Sequence, residues 1–231
     1  MSGQSAFSLQ NKRTKIGLNS FQLKLIALVT MVIDHIGAVL FPEMLFFRII
    51  GRISFPIYGF LVTEGFFHTS DVKRYMKRLL VFAFVSEIPF DLAVTGQILE
   101  FGHQNVFFTL FIGVLFMYTY TQQTSRWEKV ICVIFLTLLG DVFSVDYGAW
   151  GVLMIFCFYV FREKNWAKYL TVGCINVLAF GYIQAYAVLA FLPIALYNGE
   201  KGKERGKGWK YFFYAFYPAH LLLLWFVKIL G

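Results

Sequence analysis

The chain has 231 residues, of which 58% are hydrophobic, 20% aromatic and only 15% charged, and its net charge is +8. This composition leaves too little polar surface to cover a soluble globule, so it excludes an ordinary soluble protein and is typical of an integral membrane protein. We therefore interpret the basic residues as determinants of membrane topology, with membrane lipid and no nucleic acid as the partner.

Nine apolar segments predict about nine transmembrane helices in an all-α integral membrane protein, a polytopic helical bundle. We expect residues 1–20 to form a cytoplasmic segment with no cleaved signal peptide, and residues 21–231 to form a single polytopic transmembrane domain. The three cysteines are isolated in apolar segments, so neither a disulfide nor a metal site is predicted. The segments lie at about 22–41, 45–67, 75–95, 105–121, 128–145, 147–161, 166–182, 183–197 and 211–230.

Lysine and arginine are concentrated in alternate connections between these segments. Of the 21 basic residues, 18 lie before the first segment, at its start, or in every second connection. By the positive-inside rule, the amino terminus is cytoplasmic and the carboxyl terminus external, in the plasma (inner) membrane. The eighth segment is short and contains Pro193, so segments seven and eight form two crossings, one long helix or a re-entrant pair; the charge pattern argues against the long helix.

The first segment carries three ionisable residues: Lys24 near its start, and Asp34 and His35 past its middle. On a helix, Lys24, Leu28, Met31 and His35 share one face, and Lys24 and His35 are roughly 16 Å apart along the axis. Ionisable residues deep in a membrane are costly and usually mark a functional site. We therefore expect the chemistry at Asp34 and His35.

Other polar residues are predicted in the outer half of the bundle. Arg48 and Arg52 lie one turn apart, as do Glu87 and Asp91, and such groups either pair as structural ion pairs or belong to a site. His220 follows Pro218, so it serves the chemistry or fills the gap in helix hydrogen bonding that a proline leaves. The remaining members of this set are Asn105, Asp141, Asp146 and Gln184.

Three further ionisable residues are predicted away from the polar group in the outer half of the bundle. Glu64 lies inside the second segment, and the only evident partners for it are the basic residues 73–78. We expect His68 and His103 to lie in connections, exposed to solvent.

A basic loop at 198–210 alternates glycine with charged residues. Glycine lets backbone amides approach an anion and lysine adds a point charge, which suits a phosphate-rich ligand; a flexible loop that only determines topology is the alternative. The expected cytoplasmic anion-binding residues are Lys24, Arg74, Arg78, Asn198, Lys201 and Lys203.

Nearly the whole chain, from Lys24 to His220, resembles the TraX family, whose namesake acetylates the amino terminus of conjugative pilin. The basic residue, ten intervening residues and then His35 also resemble a motif of the larger superfamily of integral-membrane acyltransferases. The residues that carry the family resemblance are Lys24 with Asp34-His35, Gly51-Arg52 with Phe55-Pro56, Glu64-Gly65-Phe66 with Thr69, Tyr75 with Arg78, Ser86-Glu87-Ile88-Pro89-Phe90, Asn105, Asp146-Tyr147-Gly148, Tyr197-Asn198-Gly199 with Gly202, and Tyr214 through Tyr217-Pro218 to His220.

The resemblance implies transfer of an acetyl group from cytoplasmic acetyl-CoA to an amine or hydroxyl of a peptide, glycan or lipid acceptor. It implies His35 as general base, Asp34 as the group that sets its tautomer or charge, and Arg52 or Asn105 as a donor to the oxyanion. Glu87 and His220 complete the implied catalytic set, and no metal is implied.

Two other classes of protein compete with this interpretation. Buried acids and histidines also form proton relays in proton-coupled transporters, but the sequence shows no pair of related halves. A scaffold in an envelope assembly would have no need for the buried Asp34 and His35 pair.

Overall fold

The computed structural model describes residues 16–202 and 207–231, and this part of the chain is almost entirely helical. The helices are α1 (Ser20–Leu40), α2 (Leu45–Gly51), α3 (Ser54–His68), α4 (Val72–Val94), α5 (Val106–Gln122), α6 (Arg126–Val142), α7 (Gly148–Val160), α8 (Asn165–Leu178), α9 (Tyr182–Ala185), α10 (Phe191–Ala195) and α11 (Lys207–Leu230), with a 3₁₀ turn at Tyr186–Ala190 before α10.

Local sequence explains where several helices begin. The Asn19 side chain accepts a hydrogen bond from the Gln22 amide, and the Gln22 side chain accepts one from the Asn19 amide, which closes a capping box at the start of α1. The Asp71 carboxylate caps α4 at the amide of Arg74. These contacts satisfy amides that have no partner inside the helix, so the start of each helix is well defined.

All nine predicted apolar segments are helical in the described residues, but two of them are interrupted. The second segment turns at Arg52 between α2 and α3, and the eighth consists of α9, the 3₁₀ turn and α10. One long helix across segments seven and eight, the alternative that the charge pattern argued against, does not form, because α8 ends at Leu178 and Gly181 adopts a positive φ of 80°.

Within residues 16–202 and 207–231, three stretches are long and apolar enough to cross a membrane: Ser20–Leu40, Leu45–His68 and Tyr211–Leu230. Shorter apolar stretches run over Val106–Gln122, Gly148–Val160 and Tyr182–Ala195. The long apolar helices indicate insertion in a membrane. Nine complete crossings and the orientation of the chain remain predictions.

Helix α1 lies at the centre of the part of the bundle that carries the site, where it contacts α2, α3 and α11. Two glycines allow the close approach of α1 and α2. A Cβ atom at Gly37 would overlap Phe47, and a Cβ atom at Gly51 would overlap the carboxylate of Asp34. Helix α4 contacts α5 and α11, so α1, α3, α4, α5 and α11 enclose a common interior.

The residues before α1 are tied to the loop that follows α10. The amide of Leu18 donates to the carbonyl of Leu196 at 2.8 Å, and the amide of Asn198 donates back to Leu18 at 2.8 Å. The amide of Ser20 donates to the carbonyl of Glu200, also at 2.8 Å. This pairing holds the start of the basic loop against the amino end of α1.

Candidate functional site

Between the described helices, a cavity lies toward each end of α1. We call the end where α1 begins the basal end and the end where it finishes the distal end. The basal cavity has a volume of about 470 Å³ and extends from Lys24 to Met31 along α1. The distal cavity has a volume of about 130 Å³ and extends from Met31 to Ala38. The predicted face of α1 is therefore the wall of both cavities.

The basal cavity carries positive charge among its lining residues. Lys24, Arg78 and Lys201 all line it, as predicted for an anion-binding mouth. The Lys24 ammonium lies 5.5 Å from the centre of the Phe213 ring, and the Arg78 guanidinium lies 5.5 Å from the centre of the Tyr75 ring. The deeper wall is aromatic and aliphatic, so a ligand here meets cations first and apolar side chains further in.

Two residues predicted to bind the anion lie elsewhere among the described residues. Arg74 is outside the lining, and its 75% exposed side chain pairs with Asp71 at 3.3 Å. The Asn198 side chain shapes the loop instead, because its oxygen accepts from the amide of Glu200 at 2.9 Å and its nitrogen donates to the carbonyl of Gly17 at 3.4 Å. Lys203 lies outside the described residues.

Glu64 lines the basal cavity and pairs with a residue that sequence reasoning missed. The Nε of Arg162 lies 2.8 Å from Glu64 Oε1, so the partner lies 98 positions away and not among residues 73–78. The hydrogen bond that Arg162 donates to Glu64 raises the pKa of Arg162. His68 also lines this mouth, and its side chain is 60% exposed, as expected.

Asp34 lines the distal cavity and is held by two arginines. Its Oδ2 lies 2.6 Å from Nη1 of Arg48, and its Oδ1 lies 2.6 Å from Nη2 of Arg52. Both arginines reach α1 because the chain turns between α2 and α3 at Arg52. Asp34 therefore pairs with the two arginines and does not orient His35, which corrects the expected role of this carboxylate.

His35 contacts His220 on α11. The Nδ1 of His35 lies 2.7 Å from the Nε2 of His220, and the Nδ1 of His220 lies 2.9 Å from the carbonyl oxygen of Phe216. A carbonyl only accepts, so Nδ1 of His220 carries the proton; in a neutral ring its Nε2 then accepts from Nδ1 of His35. This order leaves Nε2 of His35 with a lone pair, in a residue that lines the distal cavity.

Pro218 lies inside α11 and, having no amide hydrogen, removes the helix hydrogen bond to the carbonyl of Tyr214, four residues earlier. The buried His220 bonds to the carbonyl of Phe216, so it does not fill the gap that the proline leaves. The contact with His35, 185 positions away, has no local signature.

Arg52 and Asn105 occupy different surroundings. Arg52 lines the distal cavity, and besides Asp34 its Nη1 donates to Gln184 at 3.3 Å. Asn105 is fully buried, lines neither cavity, and donates from its side-chain nitrogen to the Glu87 carboxylate and to the carbonyl of Ala83. The placement of Asn105 therefore does not favour a role at the oxyanion, whereas that of Arg52 does.

Glu87 and Asp91 form a buried acidic layer outside both cavities. Asp91 accepts from the amide of Glu100 at 2.8 Å, and Glu87 accepts from Asn105. One carboxylate oxygen of each, Oε1 of Glu87 and Oδ1 of Asp91, has no hydrogen-bond partner among the described residues. The structure thus places Glu87 as a support for Asn105 at the start of α5.

His103 and Asp146 meet at the rim of the distal cavity. The Nε2 of His103 lies 3.4 Å from Oδ1 of Asp146, and His103 is about half exposed. Backbone bonds hold the two loops together, since Gln104 donates to Ser144 at 2.9 Å and Asp146 donates to Gln104 at 2.8 Å. The bond to Asp146 raises the pKa of His103. Sequence reasoning expected a solvated His103 and missed this partner.

Comparisons with known proteins agree on one family. The family model described as TraX protein matches residues 20–228. A probable fimbrial assembly protein FimC, serogroup H1, of Dichelobacter nodosus is 30% identical over 93% of this chain and 97% of its own length. Protein TraX of Escherichia coli is 24% identical over 87% of this chain and 84% of its own length. No solved structure matches the chain. The chain belongs to the TraX protein family.

Proposed function

We propose that this protein is an integral-membrane acyltransferase that moves an acetyl group from acetyl-CoA to an amine or hydroxyl acceptor. One observation carries the proposal: two cavities approach His35 from opposite ends of α1, and the basal one has a cationic mouth. The donor enters from the basal end and the acceptor from the distal end. Membership of the TraX family supports the same chemistry.

The basal cavity suits the donor in size and charge. Its volume of about 470 Å³ is within the ordinary range for small-molecule sites, ~300–1,000 Å³. Lys24, Arg78 and Lys201 offer charge to the phosphates, while the pantetheine arm runs along apolar side chains toward Met31. The rise from Lys24 to His35, roughly 16 Å at 1.5 Å per residue, is of the order of the length of that arm.

The reaction follows from the histidine pair. Nε2 of His35 takes a proton from the acceptor nitrogen or oxygen as that atom attacks the thioester carbonyl. Arg52 donates to the oxyanion of the tetrahedral intermediate, which collapses with loss of the CoA thiolate. The proton on His35 then goes to the thiolate. Throughout the reaction, Nδ1 of His35 donates a hydrogen bond to His220. This bond keeps the His35 ring oriented for proton transfer at Nε2.

The basal end is cytoplasmic in this proposal, since acetyl-CoA and the basic connections share that side. The protein is then a multi-pass protein of the plasma (inner) membrane with its amino terminus inside. Tags at the amino terminus and in the 198–210 loop should both be protected in intact cells. A carboxyl-terminal tag should be accessible from outside, and a protected one would contradict the orientation.

The acceptor is a peptide, glycan or lipid that reaches the distal cavity. The name of the Dichelobacter relative, a probable fimbrial assembly protein, favours a fimbrial subunit peptide as the acceptor. Mass spectrometry of membrane peptides and envelope glycans, with and without the gene, identifies the acceptor by the loss of an acetyl group. Unchanged acetylation in every fraction would contradict the proposal.

A proton-coupled transporter is the second candidate, and the acidic layer of Glu87 and Asp91 favours it. Each residue keeps an unpartnered carboxylate oxygen in the described interior. Neither of them lines a cavity, which is why the acyltransferase ranks first. Proton uptake by proteoliposomes in the absence of acetyl-CoA, lost in the Glu87→Gln variant, would favour the transporter.

A further inference from the structure

The two cavities share a boundary made of four residues from four helices. Each of these residues lines both cavities, and we call the set the aperture: Met31 of α1, Tyr58 of α3, Val106 of α5 and Tyr217 of α11. Met31 and Tyr217 are buried, at 8% and 3% exposure. A group that passes from the basal cavity to His35 has to pass these side chains.

The cavities on either side of the aperture differ in volume. The distal cavity, at about 130 Å³, has less than a third of the volume of the basal cavity, at about 470 Å³. It also lies below the ~300 Å³ at which ordinary small-molecule sites begin. Under the proposed function, this small space receives both the acyl group and the reacting end of the acceptor.

We propose that the aperture restricts the donor to short acyl groups and that Met31 sets its width. The inference rests on the proposed function and deepens it by naming the substrate class, a short-chain acyl thioester. The thioester carbonyl has to lie beyond the aperture, within reach of the base. The acyl chain has to pass between the aperture side chains to bring the carbonyl there, and the distal cavity of about 130 Å³ holds few carbons, so added carbons do not improve binding of the donor.

Met31 is the aperture residue whose side chain changes conformation most readily. It lies on the face of α1 that runs from Lys24 to His35, and its unbranched side chain has three rotatable bonds. Tyr217 is held more firmly, since its ring packs against Phe107 at 5.2 Å and His35 at 5.7 Å between centroids. Shortening Met31 therefore widens the passage, while the ring contact beside His35 stays in place.

The chemical step is the same for each acyl length. The acceptor nitrogen or oxygen forms a bond to the thioester carbon, the carbon–sulfur bond breaks, and the sulfur leaves with the electron pair as the CoA thiolate. The acceptor proton passes through His35 to that thiolate. The CoA thiol departs through the basal cavity, and the acylated acceptor departs through the distal one. Only the space for the acyl carbons changes.

The test compares the purified full-length protein with Met31→Ala, using calorimetry with acetyl-CoA, butyryl-CoA and hexanoyl-CoA. Met117→Ala is the matched control, because Met117 is fully buried but lines neither cavity. In the wild type, affinity should not rise with acyl length. Met31→Ala should raise the affinity for hexanoyl-CoA relative to acetyl-CoA by about tenfold or more, since added methylenes become buried. Met117→Ala should leave the ratio unchanged.

The outcomes separate this inference from the proposed function. If Met31→Ala binds acetyl-CoA normally and its affinity for hexanoyl-CoA relative to acetyl-CoA is unchanged, the proposed role of the aperture is wrong. A rise in affinity from acetyl-CoA to hexanoyl-CoA in the wild type would overturn it too. Folded wild-type protein that binds no acyl-CoA would overturn the proposed function itself. If Met31→Ala does not fold, Met31→Val is measured in its place, and the same change in ratio decides.

Discussion

Nδ1 of His35 lies 2.7 Å from Nε2 of His220, so the histidine on the first helix is oriented by a histidine on the last. The carbonyl of Phe216 completes the chain of hydrogen bonds, at 2.9 Å from the other nitrogen of His220. A base oriented by a second group through its far nitrogen is the arrangement that general-base catalysis requires. Here the second group is the imidazole of His220 and not a carboxylate, because Asp34 is engaged by Arg48 and Arg52.

Replacement of His35 should abolish transfer without loss of donor binding. The His35→Ala protein should still bind acetyl-CoA, because the phosphates and the pantetheine arm lie in the basal cavity, which His35 does not line. Transfer should fall by roughly 10²-fold or more, the usual scale for loss of a general base. Turnover and calorimetry on the same preparation measure both effects. Unchanged turnover would move the chemistry away from His35.

Replacement of His220 tests its role as a positioning residue. His220→Leu removes the acceptor for Nδ1 of His35, so turnover should fall while the KM for acetyl-CoA stays the same. His220→Gln should restore part of the turnover, because a glutamine amide still offers an acceptor near that position. The pH profile of turnover should change in the leucine variant and recover with glutamine. If both variants lose only stability, His220 has a structural role alone.

Acetyl-CoA binding should depend on the cations that line the basal cavity. Lys24→Ala and Lys201→Ala should each raise the KM for acetyl-CoA more than they lower turnover, because a phosphate contact contributes equally to ground and transition states. Arg74→Ala is the control, since this exposed side chain pairs with Asp71 outside the cavity. The wild-type affinity should fall with added salt. Equal binding of a phosphate-free pantetheine analogue would contradict the cationic mouth.

The contact between α1 and α2 should be intolerant of a methyl group at Gly51. A Cβ atom there overlaps the Asp34 carboxylate, so Gly51→Ala should displace it from Arg48 and Arg52. Breaking a buried ion pair typically costs about 3–5 kcal/mol. Gly208→Ala is the control, because a Cβ atom at this helical position has nothing within 4 Å among the described residues. Thermal unfolding in detergent measures both, and equal transition temperatures would refute the argument.

The pair of His103 and Asp146 should make stability depend on pH. The pKa of His103 is raised above its ordinary value of 6.5 by the bond to Asp146, so folding favours the protonated form. The stabilisation is fully present below pH 6.5 and is lost as the pH rises through the raised pKa. His103→Gln should remove this part of the pH dependence of thermal unfolding. A wild-type profile that is identical to that of the variant would show that the pair contributes nothing.

Helix positions and the face of α1 were predictable from local pattern. A segment of 20 apolar residues predicts a helix because the membrane offers no partner for backbone polar groups. The spacing of Lys24, Met31 and His35 places them on one face at 3.6 residues per turn, and both cavities follow that face. These are properties of a single helix, so the sequence of that helix suffices to derive them.

The partners of the ionisable residues depended on tertiary structure. Asp34 is adjacent to His35 in sequence, yet it pairs with Arg48 of α2 and with Arg52 in the turn after α2, while His35 pairs with His220 of α11. Glu64 pairs with Arg162, not with the nearer cluster at 73–78. Helical periodicity determines which face a side chain occupies, but the identity of the helix opposite that face follows from the packing of the whole bundle. That packing also encloses the two cavities and places their boundary at Met31.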